Sequence, residues 1–565
     1  MSKEPSPDAH PESGMSTPPA SDGRSPAVSR RSFLTAAGGT AVALSILPGN
    51  DALAQVVSGD SIVPRNRRSD GTRRGKAFSV RRSSAEFQRD LPLPANEANG
   101  DEILHGSSFA CFSKTLPHDA LGEVSSADYA TYFKALESGS DQDFANIPIR
   151  GPVRLGNPRA AFTFTLEGAD SHHLTLARAP QFSSSETGAE MAELYWRALT
   201  RDVPFGTYES HELIGIAAED LSSLSGYKGP KIGGRVTPQT IFRTPLAGDL
   251  KGPIISQFLW KPIPFGAIPV EQRMLTGLPS IDYMTRYDDW LSIQNGGRPP
   301  VIALDPMPRY IRSGRDLAIY LRSDFSYQAF LSAALILQGM GARLDGGNPY
   351  VGNSIEGGFI TFGGAHLVDV VARVAIAALK AAWYQKWLVH RRLRPEEFAG
   401  RVHNHVTGRK TYPISEELLA SRGLEMTRDQ FGTALLPMAY PEGCPPFPAY
   451  PGGHAAISGA CVTVLKAFFD ETFVIPNAVV ASTDGLSLLP WTGEPLTIGN
   501  ELEKLASNIG IGRDTAGVHY RSDEIESFKL GEEVAIRIMQ DTRNCYQETF
   551  AGFTLRKFDG TVITI

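Results

Sequence analysis

Apolar residues recur at three- and four-residue spacing over Leu317 to Met340, Gly364 to His390, Gly453 to Phe469 and Asp523 to Met539. That is the stripe a helix lays against a core, so four helices are predicted and the chain at 315–565 reads as a helix bundle. Residues 85–314 have another texture: Gly and Pro are frequent, and short amphipathic stretches such as Ala189 to Thr200 are cut by turn signals. The expected fold class is mainly α, a helix-bundle core preceded by a loop-rich N-terminal half. No internal repeat is present.

The first 54 residues follow neither pattern. A polar, Pro/Ser-rich lead ends in Ser29-Arg30-Arg31-Ser32-Phe33-Leu34, a small-residue apolar stretch runs to about Leu47, and Ala52-Leu53-Ala54 resembles a small-x-small cleavage site. This order predicts a twin-arginine export signal and a periplasmic or secreted mature protein. Residues 55–84 carry many Arg among Gly and Ser with no apolar period, and are expected to be a basic, flexible arm. No later stretch reaches the ~18 uncharged apolar residues of a spanning helix, so no membrane span is expected in the mature chain.

A net charge of −6 over 565 residues is mild, which argues against nucleic acid as a partner. Cys111, Cys444, Cys461 and Cys545 are too scattered for a disulfide scaffold or a zinc cluster and are expected to be buried thiols. His172, His173 and His211 lack carboxylate or cysteine neighbours at a ligand spacing and read as ordinary surface or core histidines.

Three separated clusters carry the candidate chemistry. Lys386 lies late in a predicted helix, and Arg394 precedes Pro395, which biases its predecessor away from helical geometry and places Arg394 at the helix exit. Gly452-Gly453 before a run of Ala, Ile and Ser predicts a turn opening a helix, with bare N–H groups free to approach an anion and His454 in the first turn. Arg513 is followed six positions later by His519, and Asp523 stands four residues beyond, where a shared helical face would let a carboxylate orient the imidazole. Fixed cations, backbone donors and imidazoles are what a small, multiply charged tetrahedral oxyanion requires.

Together, Lys386…Arg394-Pro395, Pro451-Gly-Gly-His454 and Arg513…His519 resemble the signature of vanadium-dependent haloperoxidases, shared with type 2 phosphatidic acid phosphatases and bacterial acid phosphatases. The phrases Val389-His390-Arg391-Arg392-Leu393-Arg394-Pro395-Glu396 and Ala516-Gly517-Val518-His519-Tyr520-Arg521-Ser522-Asp523 are similar to the algal bromoperoxidase branch. The resemblance extends to Glu193-Leu194-Tyr195-Trp196 and Arg201-Asp202-Val203-Pro204-Phe205. It implies two helical bundles holding vanadate between the motif loops. Lys386, Arg394 and Arg513 would neutralise the vanadate oxygens, Gly453 N–H would add a donor, and His519 would be the vanadium ligand. His454 would be the acid–base residue, and Lys386 would polarise bound peroxide. The implied partners are hydrogen peroxide, halide and a small organic acceptor, with homo-oligomerisation left open.

Three positions depart from the algal pattern. Gly452 stands where the family usually has Ser, and losing such a hydroxyl donor to a charged group costs about 1.5–3 kcal/mol unless water replaces it. Phe447 takes the place of a His, and Trp383 precedes Lys386 by three residues; aromatics at both places resemble fungal chloroperoxidases and suggest a halide-facing wall, against the alternative of plain core packing. Two other functions use the same residues: an acid phosphatase with His519 as nucleophile and His454 as leaving-group acid, or an oxyanion-binding protein without turnover.

Overall fold

The computed structural model describes residues 69–105 and 107–565; the expected export signal and the start of the basic arm lie outside them. Nine longer helices matter for the site or its support, numbered here in chain order: α1 (Ser69–Asp90), α2 (Ser185–Leu199), α3 (Gly314–Ser323), α4 (Gln328–Gly339), α5 (Gly364–Tyr384), α6 (Pro395–Val406), α7 (Gly453–Phe468), α8 (Ile498–Thr515) and α9 (Arg521–Arg543). Among the described residues, the sheets are four two-stranded antiparallel pairs, with isolated β-bridges besides.

The basic segment expected to be a flexible arm is instead helical from Ser69 onward. Arg, Lys, Ala, Glu and Gln are good helix formers, and pairs such as Arg82 with Glu86 at 2.9 Å support α1 without an apolar stripe. The predicted helix over Leu317 to Met340 is two helices. Asp324 is extended and ends α3, and its carboxylate lies against His454 of another element. Ser184, Ser313 and Thr497 cap α2, α3 and α8 by accepting from the backbone N–H three residues on, at 3.1, 3.4 and 3.4 Å.

α7 is the axis of the larger core. All of its residues except His454 are buried, and it packs against α5, α8 and α9. Small residues allow this: a Cβ on Gly459 would strike the Phe528 carbonyl of α9, and one on Gly531 would strike the Ala456 carbonyl of α7. A second core joins Tyr195 and Trp196 of α2 to Phe398 and Val402 of α6, so it draws on both 85–314 and 315–565. A third, smaller core holds Phe112, Tyr132 and Trp387, with half-buried Trp383 and Phe447 against it. Cys111, Cys444 and Cys461 are buried free thiols, whereas Cys545 is exposed, since it follows the end of α9.

Candidate active site

After Tyr384 the helix α5 widens into one π-helical turn, Gln385–His390, a local irregularity that often marks functional positions. Lys386 lies in this turn. It is fully buried, and its Nζ donates to the carbonyls of Pro448 at 2.8 Å and Ala449 at 2.7 Å. Arg394 does not sit at a helix exit. It is the N-cap of α6, because Pro395 is well suited to the first helical position and a π-helical turn and connector separate it from α5. From there Nε donates to the Phe447 carbonyl at 2.8 Å, and Nη1 donates to the Val518 carbonyl at 2.6 Å and lies 3.0 Å from His519 Nε2. Lys386 and Arg394 thus grip the carbonyls of three successive residues, 447–449, that lead into the glycine turn.

Gly452 caps α7, and His454 lies in its first turn. The first N–H groups of such a helix have no intrahelical acceptor and favour an anion. His454 Nε2 lies 3.1 Å from Oδ1 of Asp324 at the end of α3. The same end of α3 engages Arg513, whose Nη1 donates to the Leu321 carbonyl at 2.7 Å and to the Tyr440 hydroxyl at 3.3 Å.

His519 lies just before α9, not within it. The Asp523 carboxylate reaches back from the third position of that helix, accepting from His519 Nδ1 at 2.9 Å and the Tyr520 N–H at 3.0 Å. Its other oxygen accepts from Arg392 Nη1 at 2.7 Å, and Arg392 also pairs with Glu190 at 2.9 Å. Burial pushes the Asp523 carboxyl up, yet Arg392 and His519 hold it well below the usual carboxylate range.

The buried cations have the opposite problem. Burial, then the charge of Arg394, pushes Lys386 and His519 well below their ordinary values, and burial lowers Arg394. Arg394 Nη2 and Arg513 Nε are buried donors with no acceptor among the described residues. A tetrahedral oxyanion answers all of this: it supplies acceptors to the two orphan donors and neutralises cations that repel one another. The residues present therefore fit vanadate or phosphate.

Lys386, Arg394, Arg513 and His519 form one electrostatic cluster: Arg394 and Arg513 act on Lys386, Arg394 and Lys386 on His519, and Arg513 on Arg394. Phe447 belongs to it. Its ring centroid lies 5.3 Å from Lys386 Nζ, 5.0 Å from Arg394 Cζ and 4.8 Å from the Trp383 ring, whose Nε1 donates to the Gly156 carbonyl at 3.0 Å. Phe447 thus lies against both cations, with Trp383 behind it, and the two rings also pack on the third core.

Known relatives align with most of the chain. A vanadium-dependent bromoperoxidase of Ascophyllum nodosum is 34% identical over 533 residues, 90% of this chain and 94% of that protein. One of Corallina pilulifera is 34% identical over 590 residues, 87% of this chain and 98% of that protein. The chain belongs to the vanadium-dependent haloperoxidase family. The fold agrees: the homohexameric second vanadate-dependent bromoperoxidase of A. nodosum superposes with a TM-score of 0.84 at 30% identity, over 91% of this chain and 95% of that one. The domain family described as the VCPO second helical bundle matches residues 367–548, which hold all three motif clusters.

Within this haloperoxidase frame, Gly452 does not leave an open gap. A Cβ there would collide with Oε2 of Glu524, a fully buried residue with neither carboxyl oxygen hydrogen-bonded. Its Oε1 lies 3.7 Å from His519 Nδ1, and burial followed by the neighbouring Asp523 pushes its carboxyl well up. Asp324, Arg392, Glu190 and Glu524 were not legible as site residues. Only Asp324 left a signal, an Asp after Ser inside an otherwise apolar helical run, the composition of a break.

Proposed function

We propose that this haloperoxidase binds vanadate and uses hydrogen peroxide to oxidise bromide, delivering the oxidised halogen to small organic acceptors. The observation that carries the reading is the pair of orphan donors, Arg394 Nη2 and Arg513 Nε, in the same buried cluster as a His519 Nε2 whose ring is fixed through Nδ1. Vanadate, when bound, supplies a Lewis-acidic centre that activates the oxidant without a change of oxidation state.

The residues divide the work. Nδ1 of His519 carries the proton donated to Asp523, so Nε2 keeps the lone pair that would hold vanadium. Arg394, Arg513, Lys386 and the Gly453 N–H would hold the oxygens. Asp324 occupies Nε2 of His454, leaving Nδ1 as the nitrogen that takes up or releases protons. Lys386, anchored by two carbonyls, would hold a cation beside the bound anion, and Trp383 with Phe447 would limit water on that side.

Metal-free protein tests this, by monochlorodimedone bromination with hydrogen peroxide, with and without orthovanadate, beside nitrophenyl phosphate hydrolysis. Vanadate-stimulated bromination suppressed by phosphate is expected. Phosphatase turnover inhibited by vanadate, without halogenation at any pH, would overturn the reading in favour of a phosphatase.

Export by the twin-arginine route is part of the proposal and rests on residues 29–54 of the sequence. Replacing Arg30 and Arg31 by Lys should leave the precursor in the cytoplasm on cell fractionation. Assembly into a homo-oligomer is proposed from the homohexameric A. nodosum relative, and the exposed Phe265, Ile268 and Val301 are compatible with it. Light scattering on the mature protein measures the assembly. No helix among the described residues is long and apolar enough to cross a membrane.

A further inference from the structure

Gly452 and Glu524 come from separate motifs, yet they meet at the N-terminus of α7. Glu524 lies on the first turn of α9, fully buried. A buried carboxyl ordinarily finds a hydrogen-bond partner; among the described residues neither oxygen has one, and the basic group it meets is His519 Nδ1, 3.7 Å from Oε1, while the charges of Lys386, Arg513 and Arg394 favour its ionised form. Its Oε2 occupies the volume that the Cβ of any residue-452 side chain would need. Gly452 has an ordinary φ of −69°, so its backbone does not demand glycine. The nearest obstruction is the Glu524 carboxyl.

We propose that the Glu524 carboxyl is the polar group that meets a bound oxyanion from the Gly452 side of the pocket, and that bare Gly452 is the matched residue that makes room for it. A carboxyl and an oxyanion are joined by one shared proton: either the carboxyl O–H donates to an anion oxygen, or the carboxylate accepts from a protonated one. In both forms Glu524 takes the part that a hydroxyl on residue 452 would play. It therefore touches the anion, whereas Asp523, one residue earlier, acts only through His519. The inference rests on the oxyanion reading of the pocket but not on peroxidase turnover.

The test is a double-substitution cycle on the full mature chain, read by calorimetric titration with inorganic phosphate and by vanadium retained after dialysis. Glu524→Gln keeps the size and an N–H donor, and should bind phosphate within about threefold of wild type. Glu524→Ala should weaken binding by about tenfold, the loss of one well-placed hydrogen bond to a charged group. Gly452→Ser and Gly452→Ala should each weaken it by about tenfold or more, because the new Cβ displaces the Glu524 carboxyl. Combining Gly452→Ser with Glu524→Ala should recover at least tenfold over Gly452→Ser alone, since the hydroxyl then has the space. Circular dichroism melts check that each variant folds. If Glu524→Ala does not fold, Gly452→Ala decides, and wild-type affinity there overturns the proposal. So does a Gly452→Ser protein that binds more tightly than wild type with Glu524 in place. These outcomes are separable from failure of the haloperoxidase reading, which would show as wild-type protein that binds phosphate but does not brominate with vanadate.

Discussion

His519 Nδ1 lies 2.9 Å from the Asp523 carboxylate, and that one bond fixes which ring nitrogen faces the cations. Because the carboxylate is also held by Arg392 at 2.7 Å, it stays ionised and keeps the proton on Nδ1. The Nε2 lone pair is left beside Arg394, where an oxyanion would sit.

Asp523→Asn should weaken vanadate retention by about 10- to 100-fold, the usual effect of removing the partner that orients a ligating imidazole. The substitution keeps the size but loses the charge that pairs with Arg392. Vanadium measured after gel filtration checks this. Retention equal to wild type would mean that the Asp523 bond does not control the ring.

The two histidines should separate cleanly. His519→Ala should lose tight vanadate binding, while His454→Ala and Asp324→Asn should retain vanadium yet lose turnover, the former by about 100-fold or more. Asp324 is a positioning residue here, so phosphate affinity in Asp324→Asn should stay within about twofold. Metal content and bromination rates on the same preparations decide. A His519→Ala protein that holds vanadium would show the ligand to be misassigned.

The aromatic wall predicts halide range. Phe447 lies over both Lys386 and Arg394, leaving less water to solvate the oxidant beside them. Wild-type protein should oxidise chloride as well as bromide at mildly acidic pH. Phe447→His should reduce chloride turnover more than bromide turnover, because the harder oxidation feels the loss first. Steady-state rates for both halides test it, and inertness to chloride across the acidic range refutes the wall argument.

Away from the site, His118 predicts an acid limit to stability. It is buried between Ser113 Oγ at 3.1 Å and the Leu116 carbonyl at 2.7 Å, and burial, with Arg401 adding to it, lowers its pKa from 6.5 to about 3. The unfolded chain thus binds this proton first. The contribution to stability is fully present above the unfolded value and is lost as pH falls through the window from 6.5 to about 3, by up to about 1.4 kcal/mol per pH unit. His118→Asn should cost stability at pH ~7 but flatten that dependence. Urea unfolding at several pH values measures the slope, and an unchanged slope would assign the acid sensitivity elsewhere.

The sequence by itself determined the elements whose information is local. The apolar stripes of α5, α7 and α9 and the glycine turn before His454 were legible because a helix period and a turn preference are properties of neighbours in the chain. The residues expected to face an oxyanion, Lys386, Arg394, Gly453, His454, Arg513 and His519, were named from the resemblance of their motifs to the family, not from a local rule. The helix α8, which carries Arg513, was not legible. It is buried on all sides yet contains Glu501, Lys504, Ser507 and Asn508, whose partners include Asp249 and the Ile254 carbonyl far away in the chain, so no stripe appears. Tertiary structure alone also decided that Arg394 begins a helix, that Asp324 ends one and lies against His454, and that Glu524 fills the space beside Gly452. Buried charges are stable only where a partner or a guest meets them, and that meeting joins segments up to hundreds of residues apart.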